Sequence, residues 1–258
     1  MRLLFLGDVV GRPGRRAVAA LLPGLIREHS PALVVANGEN AAGGLGMDAR
    51  TTRQLFDAGV QVLTSGNHVW KIKDFYTTLD ASEHILRPAN YPLGAPGRGM
   101  AVYDAGGVAV AVINLMGRTY MDDIDCPFRA ADALLAELDA SDAPVRVRLV
   151  DFHAEATSEK IALAYHLAGR VSAVLGTHTH VQTNDARILP GGTAALTDAG
   201  MCGVRDSALG MDPEAIVQRF ITGLPKRFTI ASGDELVSGA WVDVDPETGQ
   251  ALDVGLIS

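Results

Sequence analysis

Short apolar runs rich in β-branched residues recur along this chain, at 3 to 6, 33 to 36, 60 to 64, 108 to 113, 145 to 150 and 171 to 175. Their length and composition predict buried strands. Between several of them the apolar spacing changes to a helical period. Residues 13 to 29 open with Pro13, set Ala17, Leu21 and Leu25 four apart, and carry Pro23, which predicts a kink. Residues 48 to 58 begin at Asp48, an N-cap, and stop at Gly59, a C′ glycine. Two more helices are predicted over 129 to 139 and 158 to 168, the second capped by Thr157 or Ser158 and stopped by Gly169. The order β-α-β-α predicts an α/β arrangement in which helices cover sheet.

The last third reads differently. Strands are predicted at 193 to 196, 228 to 231, 236 to 244 and 251 to 257, with one helix over 214 to 222 after Asp212-Pro213. Pro246-Glu247-Thr248-Gly249 is a turn between the final two strands and predicts a terminal antiparallel hairpin. Helices are thus expected to flank two packed sheets. No repeat and no Pro- or Ser-rich linker interrupts the 258 residues, so a single domain over 1–258 is expected.

Five of the apolar strands run into residues able to bind metal: LLFLGD ends at Asp8, LVVANGEN at Glu39 and Asn40, VLTSGNH at Asn67 and His68, RLVDFH at His153, and AVLGTHTH at His178 and His180. In open α/β sheets the carboxyl ends of the strands form the ligand crevice. Four of the seven histidines stand at these ends, whereas His29, His84 and His166 fall in helical or irregular segments. A lone histidine is most simply a structural one; four that converge with Asp, Glu and Asn point to metal. Imidazole, carboxylate and amide oxygen together suit Fe, Mn or Zn better than Ca or Mg, which prefer oxygen alone. Two metals on the order of 3.5 to 4 Å apart need a bridging carboxylate and more ligands than one tetrahedral zinc.

Composition narrows the function classes. The chain is 48% hydrophobic and 20% charged, which supplies a core and excludes a disordered chain. Its 22 Lys+Arg against 30 Asp+Glu give a net charge of -8, so extended nucleic acid is not an expected partner, while a small or locally held phosphate stays compatible with it. Cys126 and Cys202 lack CxxC spacing and read as free thiols of a cytoplasmic protein. No apolar run approaches a membrane span, and MRLLFLGDVVG is too short for a secretory h-region.

Six blocks in order, GDVVGRPGR at 7 to 15, NGEN at 37 to 40, SGNHVW at 65 to 70, FHAEATSEK at 152 to 160, GTHTHVQT at 176 to 183 and TDAGMCG at 197 to 203, make the chain resemble the calcineurin-like metallophosphoesterase superfamily. Within it the resemblance is to the YmdB-like 2′,3′-cyclic-nucleotide 2′-phosphodiesterases. It implies a four-layer αββα sandwich of two mixed sheets flanked by helices, and a homo-oligomer. It also implies that Asp8, Glu39, Asn40 and His180 hold one metal, that Glu39, Asn67, His153 and His178 hold the other, and that Glu39 bridges. Two divalent or trivalent transition metal ions are expected, Fe or Mn, with Zn as the alternative. The superfamily usually has Asp-x-His in the first block, whereas Val10 stands at the His position here.

The expected reaction is in-line attack of a metal-bound hydroxide on a 2′,3′-cyclic nucleotide, with His68 protonating the leaving 2′ oxygen to give a 3′-nucleotide. Arg12, Thr157 and Ser158 are candidate substrate contacts, set against solvated charge for Arg12 and a helix cap for the other two. Glu159 and Lys160 are candidates alongside Thr157 and Ser158, Arg15 and Lys71 alongside Arg12, and Trp70 either stacks a base or packs in the core. Alternatives are a phosphomonoesterase, a phosphoprotein or RNA-end phosphatase, and a non-catalytic metal-stabilised regulator that binds nucleotide or RNA.

Overall fold

A computed structural model describes residues 1–258. Period-two alternation decides the layering. In the strand Arg2–Leu6, Leu3 and Phe5 enter one apolar cluster, while Leu4 and Leu6 enter another on the opposite face. Successive side chains of a strand point to opposite faces, so a strand apolar throughout must be covered on both.

The first sheet runs Ala251–Ile257, Gly239–Val244, Arg2–Leu6, Leu33–Asn37, Val62–Thr64, the last three mutually parallel and the first two joined as the expected antiparallel hairpin. The second runs Met100–Asp104, Ala109–Met116, Val147–His153, Ala173–Thr177, Thr193–Leu196, Arg187–Leu189, parallel in its centre and antiparallel at both edges. Leu3, Phe5 and Val35 of the first meet Val112, Leu149 and Leu175 of the second in the core between the sheets. Helices Gly11–His29, Ala49–Asp57 and Tyr76–Ala81 cover the outer face of the first sheet through Val18, Leu22, Leu55 and Leu79. Helices Pro127–Asp139 and Thr157–Leu167 cover the second through Leu135, Leu138, Leu163 and Leu167. The result is the four-layer αββα sandwich.

Several sequence expectations are corrected. The first helix starts at Gly11 rather than Pro13, and its buried stripe is Ala17, Val18 and Leu22, with Leu21 exposed. It runs on through Pro23, because both Pro23 and Ala19, whose carbonyl loses its partner, lie on the exposed side. Asp48 caps the second helix, accepting from Thr51 N at 2.6 Å, as expected. The helix Thr157–Leu167 is capped instead by Ala156, with no side-chain bond, so the cap reading of Thr157 and Ser158 fails. Residues 228 to 231 form no strand, only a bridge at Ile230. The single strand expected over 236 to 244 breaks at Ser238: Glu235–Val237 pairs with Met201–Val204, while Gly239–Val244 pairs with Arg2–Leu6. The three-stranded sheet of Glu235–Val237, Met201–Val204 and Asp8–Val9 was not foreseen, nor was the edge strand Met100–Asp104.

Candidate metal centre

Every predicted metal-binding residue lies at the carboxyl ends of the parallel strands, and the two sheets contribute different donors. The first sheet delivers oxygen: Asp8, Glu39 and Asn40 are buried at 0%, 1% and 2% exposure, and Asn67 follows Val62–Thr64. The second delivers nitrogen, from His153 at the last position of its strand and from His178 and His180 just beyond Ala173–Thr177. The gap between the sheets is closed by a missing side chain. A Cβ on Gly66 would lie 2.1 Å from His153 Cδ2 and 2.4 Å from Glu39 Oε2, so this position admits glycine alone.

Each imidazole is locked through its remote nitrogen. Thr177 Oγ1 donates to Asp151 Oδ1 at 2.7 Å and therefore accepts from His153 Nδ1 at 2.9 Å. His178 Nε2 donates to Glu155 Oε2 at 2.9 Å, and His180 Nδ1 to the Leu209 carbonyl at 3.0 Å. With those nitrogens protonated, the inward ones present lone pairs, the arrangement in which supporting groups orient metal-binding histidines. His153 Nε2 then faces His178 Nδ1 at 3.0 Å, Asn67 Oδ1 at 3.0 Å and Glu39 Oε1 at 3.2 Å. Glu39, His153 and His178 bring one donor atom each within 4.8 Å of one another and could hold a metal ion.

On the other side, His180 Nε2 lies 3.7 Å from Asp8 Oδ1 and 3.1 Å from Asn40 Nδ2. Asp8 Oδ1 is fully buried without a hydrogen-bond partner, while Asp8 Oδ2 accepts from His178 N at 3.0 Å. A buried carboxylate oxygen left bare is costly unless a cation meets it. The donor set therefore fits metal. Asn40 turns its oxygen to His68 Nδ1 at 2.7 Å and its NH₂ to Glu39 and His180; a half-turn of the amide exchanges the two.

Electrostatics agree. Burial raises Glu39, but His153 and His68 outweigh it and leave the carboxyl well below its ordinary value. Burial lowers His153, yet Glu39, Asp8 and Asp151 overcome it and bring the imidazole to about 9. This point of the fold favours positive charge: without an ion the inward Nε2 of His153 keeps a proton, which a bound metal would displace to reach the lone pair. Burial, helped by His153, pushes His178 down to about 3, keeping it neutral as a ligand must be. Burial raises Asp8 and lifts Asp151 to about 7.

The turn that carries His178 and His180 is strained, with φ of 101° and 64° at those two residues. Asp198 holds it. Its Oδ2 accepts from Thr179 N at 3.1 Å and Thr179 Oγ1 at 2.8 Å, and pairs with buried Lys160 Nζ at 2.6 Å. Lys160 is thus removed from the candidate substrate contacts. Glu159 is removed as well, because its carboxylate accepts from Arg118 N and Thr119 N. Thr157, Ser158, Lys71 and Arg12 remain exposed. Trp70 packs edge-on against Tyr76 and Tyr91 at 5.4 and 5.2 Å. Val10, in place of the expected histidine, is buried against the Gly210 turn, next to the Leu209 carbonyl that fixes His180. His29, His84 and His166 lie apart from the centre, bonded to Arg2, the Gln61 carbonyl and Asp132.

The residues that sequence reasoning missed are the supports: Asp151, Thr177, Glu155 and Asp198. Asn114 is another, bonding Ser65 N at 2.9 Å and Ser65 O at 3.0 Å across the sheets. Glu155 and Asp198 sat inside the FHAEATSEK and TDAGMCG blocks, so a signal existed without a role attached.

Comparison with known proteins follows the same lines. A Bacillus subtilis (strain 168) 2′,3′-cyclic-nucleotide 2′-phosphodiesterase is 48% identical over 254 residues, covering 98% of this chain and 95% of that protein. A Thermus thermophilus protein of known crystal structure superposes with a TM-score of 0.92 at 46% identity, covering 99% and 98% of the two chains. A Mycoplasma pneumoniae protein described as a novel phosphatase superposes at 0.93 with 31% identity, covering 100% of this chain and 92% of that one. The family model for YmdB-like proteins matches residues 4–257, and this chain belongs to that family.

Proposed function

We propose that this protein is a binuclear metal-dependent phosphodiesterase that opens 2′,3′-cyclic nucleotides to 3′-nucleotides. The observation that carries the reading is the locking of three imidazoles so that their lone pairs meet Glu39, Asn67 and Asp8. The similarity to the Bacillus subtilis phosphodiesterase supports the substrate class. In this reading Asp8, Glu39, Asn40 and His180 hold one ion, Glu39, Asn67, His153 and His178 the other, and the ions are Fe or Mn, with Zn as the alternative. Bound there, two such ions supply an activated water and neutralise the phosphoryl oxygens.

The chain's own residues do the rest. Glu39 Oε2 takes the His68 backbone N–H at 3.0 Å, which sets the His68 ring at the edge of the site with 23% of its side chain exposed. His68 Nδ1 faces Asn40 Oδ1 at 2.7 Å and Glu39 Oε1 at 3.1 Å, so its proton is engaged. In the imidazolium form the Nε2 proton is then the one free to reach the leaving 2′ oxygen. Such general-acid work contributes typically about 10² to 10⁴-fold.

Metal-loaded protein is expected to turn over 2′,3′-cyclic AMP faster than 3′,5′-cyclic AMP or an aryl phosphate. His68→Ala is expected to lose about 10² to 10⁴-fold in kcat with both metals retained by elemental analysis. A preference for the aryl phosphate would replace this reading with a phosphomonoesterase, and loss of metal in His68→Ala would make His68 a ligand.

A further inference from the structure

Net charge conceals a local reversal. Although the chain carries -8 overall, a cavity of about 510 Å³ at the start of helix Gly11–His29 is lined by Arg12, Arg15, Arg16, Arg50, Ala19 and Gln54. Four guanidinium groups line it and no carboxylate does. Arg16 pairs with Glu235 at 2.6 Å and Arg15 bonds Gln54 Oε1 at 2.7 Å, whereas Arg12 and Arg50 stand exposed and enter no ion pair. Burial and then the neighbouring Arg50 charge lower the Arg15 guanidinium, with Asp48 opposing and Arg12 adding to the shift. The helix opens with no acidic residue in its first turn and no side-chain cap, so its own first turn brings no carboxylate to offset the guanidinium charge. Like charges gathered in this way favour a ligand with several negative charges.

The cavity is tied to the metal centre. Gly11 N donates to the Asn40 carbonyl at 2.8 Å, and Arg15 donates to the Ala41 carbonyl, next in chain to Asn40. Arg12 follows Asp8 by four residues, which limits their Cα separation to about 13 Å. A few nucleotides of an extended single strand cover that span. Arginines suit phosphodiester oxygens better than lysines because their planar fork binds two at once.

We propose that this arginine cavity holds the backbone phosphates of a single-stranded oligoribonucleotide whose 3′-terminal 2′,3′-cyclic phosphate lies at the metal centre. The proposal rests on the phosphodiesterase reading and sharpens its substrate from a free nucleotide to an RNA end. Attack of an RNA 2′-hydroxyl on its own 3′ phosphodiester leaves such an end, so RNA cleavage is the class of reaction that supplies it. Net charge by itself argues against nucleic acid altogether, whereas this cavity gathers four arginines in one place.

Two measurements test it on the metal-loaded full chain. In the first, kcat/KM is compared for 2′,3′-cyclic AMP and a five-residue oligoribonucleotide ending in a 2′,3′-cyclic phosphate, in the wild type and in Arg12→Gln/Arg50→Gln. The wild type is expected to prefer the oligonucleotide, and the ratio of the two values to fall about tenfold in the double variant. Equal kcat/KM in the wild type, or an unchanged ratio in the variant, overturns the proposal. In the second, a labelled oligoribonucleotide ending in 3′-phosphate is bound across a salt series. The slope of log K against log salt should shrink by about 1.4 in the variant, for two lost contacts on a single strand. Binding does not require turnover, so failure of the phosphodiesterase reading and failure of this one are separable. Competition by inorganic polyphosphate of equal charge as strong as by the oligonucleotide also overturns the assignment to RNA.

Discussion

The two halves of the metal centre are built differently. The oxygen half comes from the first sheet and is fixed through the main chain: Glu39 takes the His68 N–H, Asp8 takes the His178 N–H, and Glu39 N donates to Asn37 Oδ1 at 3.1 Å. The nitrogen half comes from the second sheet, and each of its imidazoles needs a dedicated acceptor behind it, namely Thr177 with Asp151, Glu155, and the Leu209 carbonyl. The reason is chemical. A carboxylate offers two equivalent oxygens in any rotation, whereas an imidazole has two distinct nitrogens, and its partner decides which one is free. Support for nitrogen donors therefore rests on residues that bind no metal in this arrangement and is easier to disturb without touching a ligand.

The largest effect is expected where the halves meet. Gly66→Ala drives a methyl group into His153 and Glu39 together, and displacement of about 1 Å costs on the order of 10²-fold in rate. If the proposed two-metal reading holds, both ions should be depleted by elemental analysis; retention of one alone would show that the halves load independently.

Next comes the nitrogen half by itself. Lys160→Met leaves Asp198 buried at 1% exposure without its cation, which costs about 3 to 5 kcal/mol in a denaturant melt. It also frees the strained turn that carries His178 and His180, so metal affinity should fall about 10 to 100-fold in a titration. Lower stability with unchanged affinity would leave Lys160 a purely structural residue and remove the asymmetry between the halves.

The smallest effect lies one layer further out. Thr183 Oγ1 donates to Asp185 Oδ1 at 2.7 Å and accepts from Asp198 N at 2.9 Å. Burial raises the Asp185 carboxyl, but the bonds from Thr197 and Thr183 outweigh it and hold it below its ordinary value of 3.8. A depressed carboxyl contributes stability above its unfolded pKa and loses it as pH falls through the folded one. Asp185→Asn should cost about 1 kcal/mol at neutral pH, with the two melting curves converging in acid. A gap that persists in acid would place the cost in packing rather than in charge.

Legibility followed the same divide. All seven predicted ligands and His68 converge in the structure because each sits at a strand end, and strand ends are a local property of apolar runs. The roles of their supports were not legible, for the opposite reason. Asn37 Nδ2 meets Asp151 Oδ2 at 3.0 Å across 114 residues, and in the sequence Asp151 reads as one more polar residue in an apolar strand. Thr157 and Ser158 show a failure at shorter range, since their types suggested a cap that Ala156 occupies instead.

The split of 236 to 244 marks the boundary most clearly. Alternation and β-branching determined that the segment is extended, and strand-end position determined that oxygen and nitrogen donors gather at one edge. Which sheet receives each half of the segment, which nitrogen of each imidazole stays free, and that Val10 packs against the Gly210 turn were decided by tertiary structure alone. Propensity acts between neighbours in the chain, whereas pairing partners, tautomers and buried contacts depend on residues brought from elsewhere in the fold.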